Sequence, residues 1–247
     1  MGDQVKILIY ISIGLFSGFM SGMFGIGGGS IRTPLLYASG LPLLSAYGIN
    51  LVVIPFSSIM GAITHRKNLD KKIAIPVIGG GMAGTITGAL LIGNIASFTL
   101  SIIFVCISVI TVIGIHFRRI FPELSEKIRP KAGIVTGGAF ILNFLTILRG
   151  GSGGSLFPPF LRMIGLDVRK AIATSLFTTI FTATAGALVF WSRGDVPPLP
   201  AILVITGSIL GARLGGLTSL KTKPLWLDIG LSLFVVALSS LVLIKSL

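Results

Sequence analysis

The stretch Gly25-Ile26-Gly27-Gly28-Gly29-Ser30-Ile31-Arg32-Thr33-Pro34 returns, altered but recognisable, as Gly150-Gly151-Ser152-Gly153-Gly154-Ser155-Leu156-Phe157-Pro158-Pro159. A shift of 125 residues, the separation of Gly25 and Gly150, lays Ser30 on Ser155 and Pro34 on Pro159. The match runs outward to Gly40, Leu41, Ala46, Gly61 and Ala62 on Gly165, Leu166, Ala171, Gly186 and Ala187. Self-similarity of that length means one unit built twice. Glycine clusters this dense do not simply continue a helix, because each interior glycine weakens it by about 1 kcal/mol relative to alanine. Each copy is therefore a break followed by a short helix.

The medium around these breaks follows from composition. Of the 247 residues, 53% are hydrophobic and 11% are charged, with a mean hydropathy of +0.99, whereas soluble domains carry about 25% charged residues. Water is not the main solvent. Apolar stretches long enough to span a bilayer, about 20 residues each, cover Val5–Phe24, Leu43–Thr64, Ile73–Ile92, Ser97–His116, Ala132–Leu148, Val168–Trp191, Leu199–Ser219 and Leu225–Ile244. The fold class is an all-α polytopic membrane protein. The stretch from Val5 has no A-x-A-like cleavage site and is expected to stay in the mature chain. Two shorter pieces, Ile31–Ser39 and Ser155–Ile164, follow the breaks and are about half a membrane thick as helices. A second set of glycines, Gly80, Gly84 and Gly88 with counterparts Gly207, Gly211 and Gly215, forms ladders that let a neighbouring helix come close.

Residues 1–120 then make the first transmembrane repeat, 118–131 a basic linker and 132–247 the second repeat. Each repeat is a Gly-broken helix pair plus three long helices. Lys and Arg number 20 against 7 Asp and Glu, an imbalance that in a soluble protein would point to nucleic acid. Here the basic residues sit in short connections, where they mark the cytoplasmic side and meet anionic lipid. Nucleic acid is not an expected partner; the lipid bilayer is. Connections His65–Lys72, Arg118–Lys131, Arg162–Lys170 and Lys221–Lys223 are basic and expected inside; Gly40–Pro42, Gly93–Ala96 and Arg193–Pro198 are nearly bare and expected outside. If each broken pair returns to the side it came from, all seven agree. The first repeat then starts outside, the second inside, and the two are inverted, as in many secondary transporters.

Backbone groups freed at a break inside a membrane must find protein, water or ligand, since lipid has no partner for them. Ser30 and Ser155 stand where an N-cap is expected for the short helices. Helix N-termini carry unpaired N–H groups and partial positive charge, so two facing termini make one central anion site. The candidate substrate-binding residues are Gly28, Gly29, Ser30, Asn50, Arg149, Ser152, Gly153, Gly154, Ser155 and Ser175. Arg149 precedes the second break, and an intramembrane arginine asks for an anionic partner. Asn50 and Ser175 take equivalent places in the helices after the breaks. Arg32 and Arg213 are weaker candidates of the same kind. Asn143, Ser57, Ser58, Thr178 and Thr179 would complete a polar lining, although Ser and Thr often bond their own helix.

Enzymatic constellations are missing from the sequence: no HExxH, GxSxG or Walker motif, no Cys/His cluster and no intramembrane carboxylate pair. No catalytic residue, metal ligand or cofactor is expected. Cys106, the sole cysteine, has no His or acid beside it to make a reactive thiolate. Asp228 is the one acid well inside a span, near the start of the last helix, and is either interfacial or a carrier for a coupling proton or ion. His65 and His116 fall at expected cytoplasmic ends and are read as solvated. A small anionic substrate is the partner these features require, and the oligomeric state is left open.

The pattern Gly-Ile-Gly-Gly-Gly-x-x-x-x-Pro, repeated as Gly-Gly-Ser-Gly-Gly-x-x-x-x-Pro, with glycine ladders and a basic central linker, resembles the TauE/SafE sulfite exporter family over essentially the whole chain. That resemblance implies a multi-pass carrier in a bacterial or archaeal plasma membrane, with sulfite, thiosulfate or an organosulfonate as cargo. Alternating access, by rocking one half against the other, is the expected mechanism. The alternatives are an uncoupled anion channel, or a membrane enzyme acting on a sulfur or lipid-linked substrate.

Overall fold

The computed structural model describes residues 3–92, most of 95–109, 131–222 and single positions between 113 and 123 and between 229 and 244. The described part is all helix and turn. Eight helices are fully delimited: α1 Asp3–Phe24, α2 Gly29–Ala38, α3 Leu43–His65, α4 Lys71–Ile92, α5 Ala132–Ile147, α6 Phe157–Met163, α7 Val168–Ser192 and α8 Pro198–Ser219. Five of them, α1, α3, α4, α7 and α8, are long and apolar enough to cross a membrane. At 16 residues, α5 is shorter than the crossing expected there, and a shorter apolar helix covers Phe98–Ile107. Apart from single positions, the last expected crossing and the basic linker lie outside the described residues, as do Asp228 and His116.

Large apolar side chains point outward on the spans: Ile75 is 72% exposed, Leu188 67% and Leu210 63%. In water such a belt would drive association; in lipid it is solvated. Polar side chains go inward instead, among them Ser17, Asn50, Thr85, Asn143 and Thr182, all fully buried.

The two ladders decide which helices touch. A side chain added at Gly207, Gly211 or Gly215 of α8 would collide with the backbone carbonyls of Ile11, Leu15 and Phe19 on α1. In return, one added at Gly14, Gly18 or Gly22 of α1 would collide with Val204, Ser208 and Ala212 of α8. In the other pair, Gly80 and Gly84 of α4 lie on the carbonyls of Thr136 and Phe140 of α5, and Gly88 on the Ile147 side chain. Lipid gives helices no hydrophobic reason to associate, so close backbone contact does that work. Each ladder helix thus packs on the first helix of the opposite repeat, while α3 packs on its counterpart α7.

Contacts also sort the connections by end. Arg169, at the start of α7, donates to the Leu220 carbonyl at 3.3 Å, and the Asp70 amide donates to Thr174 at 3.1 Å. Three basic connections therefore share one end. At the other end Arg193 donates to the Ala89 carbonyl at 3.1 Å and pairs with Asp195 at 3.0 Å. Gly48, near the start of α3, packs on the Asp195 carbonyl.

Candidate functional site

Both breaks turn through left-handed backbone, where only glycine is comfortable. Gly25 and Gly150 each have φ 73°, and Gly28 and Gly153 have φ 74° and 66°. The repeat therefore extends to the backbone conformation. Gly28 is the residue that caps α2, and the helix takes Gly29 as its first residue. Ser30 is accordingly inside the first turn and not the N-cap expected from sequence. Ser155 is displaced the other way: α6 begins at Phe157, with Leu156 before it. Left-handed Gly28 ends the first loop by itself, and right-handed Leu156 leads into α6 with no side-chain cap, so neither serine caps.

Freed from that task, the two hydroxyls meet a common partner. Arg149 Nη2 donates to Ser30 Oγ at 2.8 Å and also to Ser155 Oγ. One guanidinium, 2% exposed, joins the two repeats at their breaks. The breaks also touch directly. A side chain at Gly29 would come within 3.6 Å of the Gly151 Cα, and one at Gly154 within 3.0 Å of the Ile26 carbonyl oxygen.

Asn50 and Ser175, equivalent in the repeat, act equivalently and reciprocally. The Asn50 amide donates to the carbonyl of Gly150; the Ser175 hydroxyl donates to the carbonyl of Gly25 at 2.7 Å and reaches that of Gly154 at 3.4 Å. Each holds the opposite repeat's first break glycine. Packing follows the same rule, because Gly150 sits on the Tyr47 ring and Gly25 on Ile172, again residues related by the shift.

Arg32, a weaker candidate in the sequence, is fully buried at the first break. Its Nη1 donates to Asn50 Oδ1 at 2.7 Å, its Nε to Ser17 at 3.1 Å and its Nη2 to Ser208 at 3.2 Å. All three acceptors are neutral. Its counterpart is Phe157, so the first break carries a cation where the second carries a ring. Ser17 and Ser208 were missed because they stand among ladder glycines and read as packing. The other weak candidate, Arg213, is exposed on α8 and takes no part.

Two buried hydroxyls at the breaks, Ser21 and Ser152, have no hydrogen-bond partner among the described residues. Ser21 lies against Gly28, and the Ser152 carbonyl accepts from Thr182 at 3.2 Å and from the Gly154 amide at 2.6 Å. The Gly153 amide donates to Thr146 at 2.6 Å. Asn143 accepts from Thr85 at 3.1 Å and donates within its own helix. Ser57, Thr178 and Thr179 donate to their own helix carbonyls, whereas the buried Ser58 hydroxyl has no hydrogen-bond partner among the described residues. His65 is buried, 1% exposed, and not solvated as expected, because Gly22 and Gly216 let α8 and α1 close over the end of α3. Cys106 is exposed and stands apart from this network. No group of three metal-ligating side chains occurs among the described residues.

The model of the family "Sulfite exporter TauE/SafE" matches residues 10–242. A "Probable membrane transporter protein" of Haemophilus influenzae is 26% identical over 94% of this chain and 96% of its own length. The "Probable membrane transporter protein YunE" of Bacillus subtilis is 26% identical over 89% of this chain and 90% of its own. An archaeal relative from Methanocaldococcus jannaschii, also a "Probable membrane transporter protein", is 26% identical over 91% of this chain and 90% of its own. No solved structure gives a significant match. With the family model covering nearly every residue, five helices long and apolar enough to cross a membrane and a buried polar centre among them, the chain belongs to the sulfite exporter TauE/SafE family of multi-pass membrane transporters.

Proposed function

We propose that the protein carries a small sulfur-containing anion, such as sulfite, thiosulfate or an organosulfonate, across the plasma membrane by alternating access, holding it where the two breaks meet. The observation that carries this reading is Arg149 joined to Ser30 of one break and Ser155 of the other. A hydroxyl that accepts from a guanidinium keeps its own proton to donate. Ser30 and Ser155 thereby become two convergent donors beside a fixed positive charge, which suits an oxyanion. Ser21 and Ser152, buried without partners, are further donors, and Arg32 adds positive potential that its neutral partners do not cancel.

The sorting of connections by end supports the inverted arrangement, since α3 leaves the bare end for the basic end while its counterpart α7 runs back. An inverted pair has two nearly equivalent packings, one open to each side, which is the basis of alternating access. By the charge rule the basic end faces the cytoplasm.

The test is a thermal-shift series on detergent-purified protein, because a ligand stabilises the state it binds. Sulfite, thiosulfate and sulfoacetate are expected to raise the midpoint more than phosphate or acetate, and Arg149→Gln and Gly154→Leu to reduce the shift. Saturable uptake of the stabilising anion into proteoliposomes completes the case. No selective shift in folded protein, or flux that never saturates, overturns it.

A further inference from the structure

Away from the breaks, the basic end of the molecule has a groove of about 490 Å³ between the ends of α3 and α8, walled by Arg66, Lys67, Asn68, Arg213, Leu217 and Leu220. Three cations converge there with no acid in the wall. None has an ion-pair partner among the described residues; the nearby Asp70 is engaged by the Ile73 amide at 3.2 Å. Arg213 is the informative member. It lies six residues before the end of α8, roughly 9 Å up the helix, exposed beside Leu210, Leu214 and Leu217, which are 63%, 54% and 44% exposed. A guanidinium on a lipid-facing surface must snorkel or find an anion within the membrane boundary.

A second groove of about 300 Å³ adjoins the first across Ile63 and Arg66, which line both. Its remaining wall, Ala62, Leu69, Ala173, Phe177 and Ile180 with Ile59, is apolar throughout. The pair is therefore an amphipathic cleft: a cationic compartment at the interface and a greasy one running from it between α3 and α7. A free anion would use only the first compartment, whereas an anionic lipid fills both. Basic pockets between membrane helices bind such headgroups. We propose that this cleft is a specific site for an anionic phospholipid, its phosphate held by Arg66, Lys67 and Arg213 and one acyl chain lying against Phe177 and Ile180. A lipid seated here ties the end of α3 to both α7 and α8, the helices it packs on.

The experiment is native mass spectrometry of the full chain reconstituted with phosphatidylglycerol and phosphatidylcholine of matched acyl chains. Phosphatidylglycerol is expected to survive detergent exchange and phosphatidylcholine not. Arg66→Gln/Arg213→Gln is expected to lower retention about tenfold, and Phe177→Ala also to lower it. Arg213→Lys should retain it, and Arg213→Gln alone serves if the double variant does not purify as a single species. Equal retention of the two lipids, or unchanged retention in the glutamine variants, overturns the proposal. Inorganic phosphate that stabilises the protein as well as phosphatidylglycerol does would assign the cations to a soluble anion and overturn it too.

Discussion

Arg149 and Ser30 are 119 positions apart and hydrogen-bonded, 2.8 Å from guanidinium nitrogen to hydroxyl oxygen, so the two repeats are stitched together at the point where both lose their helix. Replacing Arg149 by Gln removes the donor to two buried hydroxyls, at a cost of about 1–3 kcal/mol. The expected outcome is a lower thermal midpoint together with at least tenfold weaker stabilisation by sulfite. A variant that lost only stability, with anion response intact, would make Arg149 a strut.

Asn50 is the residue on which two buried groups depend, since it accepts from Arg32 and donates to the Gly150 carbonyl. Asn50→Leu strands the Gly150 carbonyl and takes one acceptor from Arg32, which keeps Ser17 and Ser208, and is expected to destabilise by about 1–3 kcal/mol, read as loss of monodisperse protein after extraction. Asn50→Asp keeps an acceptor for Arg32 but leaves the Gly150 carbonyl without a donor, and should fall between.

Neighbouring glycines on α4 separate contact from composition. Gly79 faces open space, whereas Gly80 lies on the Thr136 carbonyl. Gly79→Ala is expected to be neutral or to stabilise by up to about 1 kcal/mol through helix propensity. Gly80→Ala must push α4 from α5 and should destabilise measurably, as should Gly215→Ala against Phe19. Thermal midpoints of the three variants check this.

Much of this was legible in one dimension. The boundaries of α1, α3, α4, α7 and α8 fall within two or three residues of the apolar stretches, because lipid imposes the same length on each. The pairing of the breaks was legible as a shift. The caps were not: a serine in N-cap position is a familiar sign, but left-handed Gly28 already ends the loop. Arg32 was underrated because its partners Ser17 and Ser208 come from helices 15 and 176 residues away, and no periodicity says which face of α1 meets which face of α8.

Cysteines introduced singly in a Cys106→Ser background test the sidedness. Lys72→Cys, Arg169→Cys and Lys221→Cys are expected to react with an impermeant maleimide from one side only, and Gly40→Cys and Asp195→Cys from the other. Labelling of Arg169→Cys from the side of Gly40→Cys would make the repeats parallel. Transport should survive Cys106→Ser itself.

Synthesis runs in one direction, and the ladder contacts do not respect it. A ribosome delivers α1 and α4 into the bilayer before their partners α8 and α5 exist. Until then the glycine faces of the first repeat have only lipid against them, and its break has neither Arg149 nor Ser175 to satisfy it. The glycine contacts of α1 are completed only when α8, in the last third of the chain, has been made.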